Sequence, residues 1–263
     1  MTDDGSKPLH HRTEFDDWRS LTIGIYMALA GYAVMVGLPV ISTSWVGNLG
    51  LSAVQVGRVA GADLGGLAIG AVISAIFIAR INRRYMAAGA ALFAIAANAL
   101  CIFYQSYEAM LWLRLASGIG AGIYTGIAVA TIGGHSRPAF AFGLELFAFA
   151  GSQGAELKLL PYLSIEGVYI ALIVSYVVGL LFISWLPTRP ANQTLNVDID
   201  VENPDGEPQT EKNHVPTYVP WMVLGAIVLT YINIGAYWTY IELSTVDSDA
   251  SPEWVASMLW ISS

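Results

Sequence analysis

Seven stretches of this chain are long enough and apolar enough to cross a lipid bilayer as helices, and this limits its fold more than any other feature. A spanning helix needs about 20 predominantly apolar residues. Residues 21–41, 85–104, 167–187 and 219–241 carry no charged side chain. Residues 59–79 carry only Asp63, and residues 109–134 only Arg114. Residues 139–163 are the most polar, with Glu145, Glu156 and Lys158. An eighth apolar run begins near Pro252 and reaches Ser263; it gives about 18 Å of helix against a hydrocarbon core of roughly 30 Å. Soluble core helices are shorter and keep a polar face, and membrane barrel strands alternate over about 10 residues. The expected fold class is therefore all-α, a polytopic membrane protein. Composition agrees: 55% of the 263 residues are hydrophobic and 12% are charged, against about 25% charged in an ordinary soluble domain.

Lysine and arginine set the expected orientation. With the N-terminus inside, Lys7, Arg12, Arg19, Arg80, Arg83, Arg84, Arg137, Arg189 and Lys212 all fall on the cytoplasmic side, and Arg58 alone lies outside. The chain then divides into a cytoplasmic tail (1–20), a six-helix bundle (21–187), a cytoplasmic linker (188–218) and the start of a second bundle (219–263). The linker holds six acids, Asp198 through Glu211, and two bases, a composition that cannot bury enough apolar surface to fold alone. A net charge of −8 gives no reason to bind nucleic acid. Cys101, the single cysteine, sits in an apolar run and is expected to be a buried thiol. The four histidines lie in tails or loops. Enzyme signatures such as HExxH, GxSxG, a P-loop or CxxC are absent, so neither catalysis nor a bound metal or cofactor is expected.

Charges inside the apolar runs are costly and point to a partner or an aqueous cavity. Asp63, Arg114 and Glu156 lie at comparable depth, which makes a pair or triad possible, either as a static ion pair or as a proton- or substrate-coupling group. Ser117 and Thr125 share roughly the Arg114 face. On the fifth run Glu145, Ser152 and Glu156 project within about 20° of one another, with Gln153 nearby. This face reads either as the wall of a water-filled path or as a seam that pairs with a neighbour. On the seventh run Thr230, Asn233, Tyr237 and Tyr240 form a stripe, to be read as substrate contacts or as interfacial aromatics. Gly118, Gly122 and Gly126, and likewise Gly61, Gly65, Gly66 and Gly70, recur at spacings that let helices pack closely.

The loop after the second run reads Ala75-Ile-Phe-Ile-Ala79-Arg80-Ile-Asn82-Arg83-Arg84. Arg80, Arg83 and Arg84 match the basic positions of the G-x-L-A-D-R-x-G-R-K/R signature, and Arg114 with Gly118 matches a fourth-helix RxxxG. On these residues, and on the six-linker-restart spacing, the chain resembles the major facilitator superfamily. Ala75, Phe77, Ala79 and Asn82 depart from the loop signature, and Ala79 removes its acid. The fifth run lacks the G-P-x-x-G-G of drug/proton antiporters, so drug export is not favoured. The resemblance implies a cavity lined by the first, fourth and seventh helices, with the second and fifth beside it, and proton coupling through the arginine of the fourth.

The expected function is secondary active transport of a small solute by alternating access, coupled to protons, in an inner or plasma membrane. The rival is a non-transporting seven-helix receptor or sensor, which would place the N-terminus outside. Ser263 falls inside an apolar segment, so these 263 residues are expected to be part of a longer transporter. An organic acid is one conceivable solute, on the thought that Arg114 meets a carboxylate.

Overall fold

The structure is a computed structural model. It describes residues 14–188 and, beyond them, positions 218, 222, 225, 226, 229, 233, 235 and 237–240. The expected linker and eighth run, Thr230, and the tail up to residue 13 lie outside the described residues.

Six helices follow one another, with no strand among the described residues: α1 (Trp18–Leu49), α2 (Ala53–Phe77), α3 (Arg83–Phe103), α4 (Tyr107–Ile132), α5 (Pro138–Leu159) and α6 (Ile165–Leu181). The described positions from 218 to 240 are also helical, and we label them α7. Each short connection reverses the chain. The near end of the bundle holds the starts of α1, α3 and α5, and the far end holds the starts of α2, α4 and α6.

α1 begins at Trp18, within the expected tail, and runs 32 residues, beyond the expected 21–41. The far-side loop of 42–58 thus shrinks to residues 50–52, and Arg58 lies in α2. Two local signals explain this. Gly50 adopts a left-handed φ of 66° and its N–H closes on Trp45 and Val46 carbonyls, which ends α1. Ser52 and Gln55 form a reciprocal capping box that starts α2. A bilayer thickness limits the apolar run, not the helix, which continues past it.

Among the described residues four helices, α1 to α4, are long and apolar enough to cross a membrane. α5 carries the acids noted above, and α6 has 17 residues. Many large apolar side chains face outward, among them Phe103, Tyr85, Phe147 and Leu181, as expected of a lipid-facing surface.

α2 and α4 form the tightest seam. A methyl group added at Gly118 would strike the Asp63 carbonyl, and one at Gly122 the Leu67 carbonyl. Reciprocally, Gly66 abuts the Leu115 carbonyl and Gly70 that of Ile119. Backbone meets backbone because neither side has a Cβ in the way. Gly61 and Gly65 do not join this seam: nothing lies within 4 Å of a Cβ placed on either. A hundred degrees per residue carries them round to the open side of α2.

At the near end a short 3₁₀ turn, Glu14–Asp16, ties the loops together. Asp16 accepts the Ser136 N–H at 2.8 Å and lies 3.6 Å from His135 Nδ1. Phe15 packs under Gly134, and the Arg83 guanidinium sits 4.9 Å over its ring. Arg84 donates to the Leu186 carbonyl at 2.6 Å, fastening the 3₁₀ turn Ile183–Trp185 that follows α6.

Candidate functional site

Arg114 lies one turn before Gly118 on the same face of α4. Because Gly118 lets the α2 backbone touch, Asp63 is drawn within reach, and its Oδ1 accepts from Arg114 Nη2 at 2.7 Å. Both are buried, at 1% and 5% side-chain exposure. On the other side Arg114 Nη1 donates to Asn98 Oδ1 of α3 at 2.7 Å. Asn98 Nδ2 in turn donates to Ser117 Oγ at 2.9 Å and to the Ala94 carbonyl at 2.8 Å. The guanidinium carbon lies 5.9 Å from the Tyr169 ring centre of α6. The Tyr169 hydroxyl accepts the Trp45 indole N–H at 2.9 Å and points its own proton at Met110 Sδ, 3.7 Å away. Every one of α1, α2, α3, α4 and α6 therefore contributes to one buried polar layer. An apolar cluster around Trp45, Val59 and Met110 lies on its far side, and one around Met27, Ala94 and Ile127 lies on its near side.

Glu156 does not complete a triad. It belongs to α5, where Ser152 Oγ donates to its Oε1 at 2.9 Å, and its Oε2 lies 3.4 Å from where a Cβ on Gly37 of α1 would be. Among the described residues no lysine or arginine comes within ion-pair distance of it; the two ion pairs found are Asp63–Arg114 and Asp16–His135. α5 packs chiefly against α1, away from the α2–α4 seam, because Gly37 and the Tyr32–Phe149 ring contact (6.1 Å) give it that berth. Glu145 is buried on the same helix, and Gln153 is half-buried.

A cleft of about 330 Å³ opens between α1, α2 and α4 on the near half of the bundle. Tyr32, Leu67, Ala71, Ser74, Thr125 and Val129 are among its walls. Thr125 donates to its own helix at Ala121 and fills the notch at Gly31 of α1. Ser117, by contrast, faces α3 through Asn98. Asn233 and Tyr237 lie on an exposed side of α7. Of the loop arginines, Arg80 is exposed, while Arg83 is buried and donates to Thr131 Oγ1 at 3.3 Å. Cys101 is buried. Among the described residues no three His, Cys, Asp or Glu side chains gather as a metal site would require.

The model of the Major Facilitator Superfamily matches residues 20–262. The chain belongs to the Major Facilitator Superfamily. No curated protein matches it. It is an integral, multi-pass, all-helical membrane protein of a transporter family that carries small solutes. In the superfamily frame the Arg114–Gly118 pair has a physical reading in this chain: the glycine makes room for the acid that the arginine needs.

Asn98 and Tyr169 are the residues that charge counting passes over. Both had a legible signal. An asparagine in an uncharged 20-residue run must find partners inside the protein, and a tyrosine mid-membrane must do the same for its hydroxyl.

Proposed function

We propose that this chain builds a secondary active transporter that moves a small solute by alternating access, with protons as the coupling ion. The observation that carries the reading is the cleft beside the α2–α4 seam on the near half of the bundle, with the buried Asp63–Arg114 pair farther along the same two helices. The near end, which holds Arg19, Arg80, Arg83, Arg84 and Arg137, is cytoplasmic by the charge rule, in a plasma or bacterial inner membrane.

Two carboxylates have distinct parts in this proposal. Asp63 changes protonation only by giving up Arg114, and a buried guanidinium left alone is costly. Glu156 changes protonation while keeping its serine hydroxyl, so it is the proton carrier, and Arg114–Asp63 holds α2 and α4 as a unit. Arg114 is spent on Asp63 and Asn98, so the organic-acid idea loses its anchor.

The test is solute accumulation in proteoliposomes under an imposed pH gradient, across a panel of small solutes. Glu156→Gln is expected to abolish accumulation above equilibrium while leaving downhill exchange intact. Full gradient-driven accumulation in that variant would remove Glu156 from coupling.

A further inference from the structure

The loop between α4 and α5 and the short turn before α1 meet at one histidine. The side chains of His135 and Asp16 are 13% and 9% exposed, and the His135 ring lies 6.5 Å from that of Phe140 in the first turn of α5. His135 Nδ1 accepts the backbone N–H of Arg137 at 2.9 Å. Asp16 Oδ1 accepts the backbone N–H of Ser136 at 2.8 Å. These two acceptor atoms lie 3.6 Å apart. An imidazole nitrogen that accepts a hydrogen bond carries no proton, so the neutral ring holds its proton on Nε2. Nδ1 and Oδ1 then meet as two acceptors, lone pair to lone pair.

A second proton on this ring has one place to go, Nδ1, and it turns that atom from an acceptor into a donor. The Arg137 N–H then confronts another N–H and is released. The Asp16 carboxylate gains a cationic donor, which makes a charge-assisted bond. Both changes fall where an element begins. Arg137 is the N-cap residue of α5, which starts at Pro138 without a side-chain cap, so the ring nitrogen holds the residue at which that helix begins. Asp16 closes the Glu14–Asp16 turn that leads into α1. The other charged groups on these elements are placed elsewhere. Asp17 accepts the Arg19 N–H at 3.3 Å, and the Arg19 guanidinium lies 5.6 Å from the Trp18 ring and 5.9 Å from that of Trp185. The Arg83 guanidinium of α3 sits over Phe15 and donates to Thr131. Glu14 and Arg137 are exposed, and neither the last turn of α4 nor the first turn of α5 carries a charged side chain. Histidine is the side chain that changes charge across the physiological range.

We propose that His135 is a proton-operated clasp on the near face of the bundle. Neutral, it holds the Arg137 N–H at the entry to α5; protonated, it lets go and closes on Asp16, tying the turn before α1 to the α4–α5 loop. The clasp thereby passes near-side pH to α1 and α5, the two helices between which Glu156 lies. Its purpose, regulation by the pH of that side, rests on the transport reading; its measurement does not. Two variants take the clasp apart. His135→Gln keeps an acceptor and takes up no proton. Asp16→Asn keeps an acceptor for the Ser136 N–H and removes the charge.

The readout is hydrogen exchange of the Ser136 and Arg137 amides, resolved by NMR on isotope-labelled protein in lipid nanodiscs at about pH 5.5 and about pH 8, on either side of the histidine range. Each rate is divided by that of His135→Gln at the same pH, which cancels the intrinsic pH dependence of exchange. At the higher pH both ratios are expected to be near one. At the lower pH Ser136 is expected to exchange about fivefold more slowly, as an ion pair at the surface allows, and Arg137 about fivefold faster, as one lost neutral hydrogen bond allows. Asp16→Asn is expected to cancel the slowing at Ser136 and to keep the quickening at Arg137. Ratios of one at both amides and both pH values overturn the clasp, and so does a slowing at Ser136 that survives Asp16→Asn. The exchange pattern needs no solute, so its absence overturns the clasp and leaves the transport reading standing. The same pattern in a protein that moves no solute keeps the clasp and overturns the transport reading.

Discussion

The Arg114 layer shows how one arginine depends on residues of other helices. Its two terminal nitrogens have separate acceptors, Asp63 and Asn98. Removing either leaves donors facing apolar side chains. Asp63→Ala is expected to lower stability by about 3–5 kcal/mol, the cost of breaking a buried pair, seen as a fall in melting temperature in detergent. Asp63→Ala combined with Arg114→Leu should recover most of that loss, because no uncompensated charge remains. Asn98→Leu should cost about 1–3 kcal/mol, since it strands one donor and frees Ser117. The charged members of this layer were legible in the sequence, because an ionised group inside an apolar run is conspicuous. Asn98 and Tyr169 give a weaker signal: a neutral polar side chain in such a run calls for a partner inside the protein, but its helix alone does not say which one.

Between elements, the α2–α4 seam is the part most sensitive to volume. Gly122→Leu is expected to push the helices apart and cost about 1–3 kcal/mol or more, whereas the same change at Gly61 should be near neutral, since that position faces open space. Thermal melting of the two variants side by side checks this. Spacing alone grouped Gly61 and Gly65 with Gly66 and Gly70. A four-residue repeat names two faces of α2, and only a partner helix decides which is used. Helix ends were misjudged for a related reason. Apolarity traces the part of α1 that meets lipid, while the Gly50 cap and the Ser52–Gln55 box mark where the helix stops and the next begins. Those caps are visible in the sequence, but a 20-residue window overrides them.

For the whole molecule, the fold class and the family were both readable from apolar run length, basic-residue asymmetry and the Arg114–Gly118 motif. What the runs could not give was which charged groups meet. Depth along a helix is one coordinate, and Glu156 matches Arg114 in depth while facing α1 rather than α4. Placing the near end in the cytoplasm makes a further prediction. A cysteine at Arg80, which is exposed, should be labelled by an impermeant reagent only in inside-out vesicles; labelling in right-side-out vesicles would reverse the orientation and with it the direction in which the cleft faces.

The α2–α4 seam also has an electrical meaning. Asp63 and Arg114 ride on helices locked backbone to backbone, so any tilt of one carries the other with it. A cation and an anion displaced together through the same depth transfer no net charge across the field, where a lone unit charge crossing fully would exchange about 2.3 kcal/mol per 100 mV. A shared displacement of α2 and α4 is therefore electrically silent as far as this pair goes, whereas Glu156 of α5, with no ion-pair partner among the described residues, carries its charge through the field whenever it is ionised.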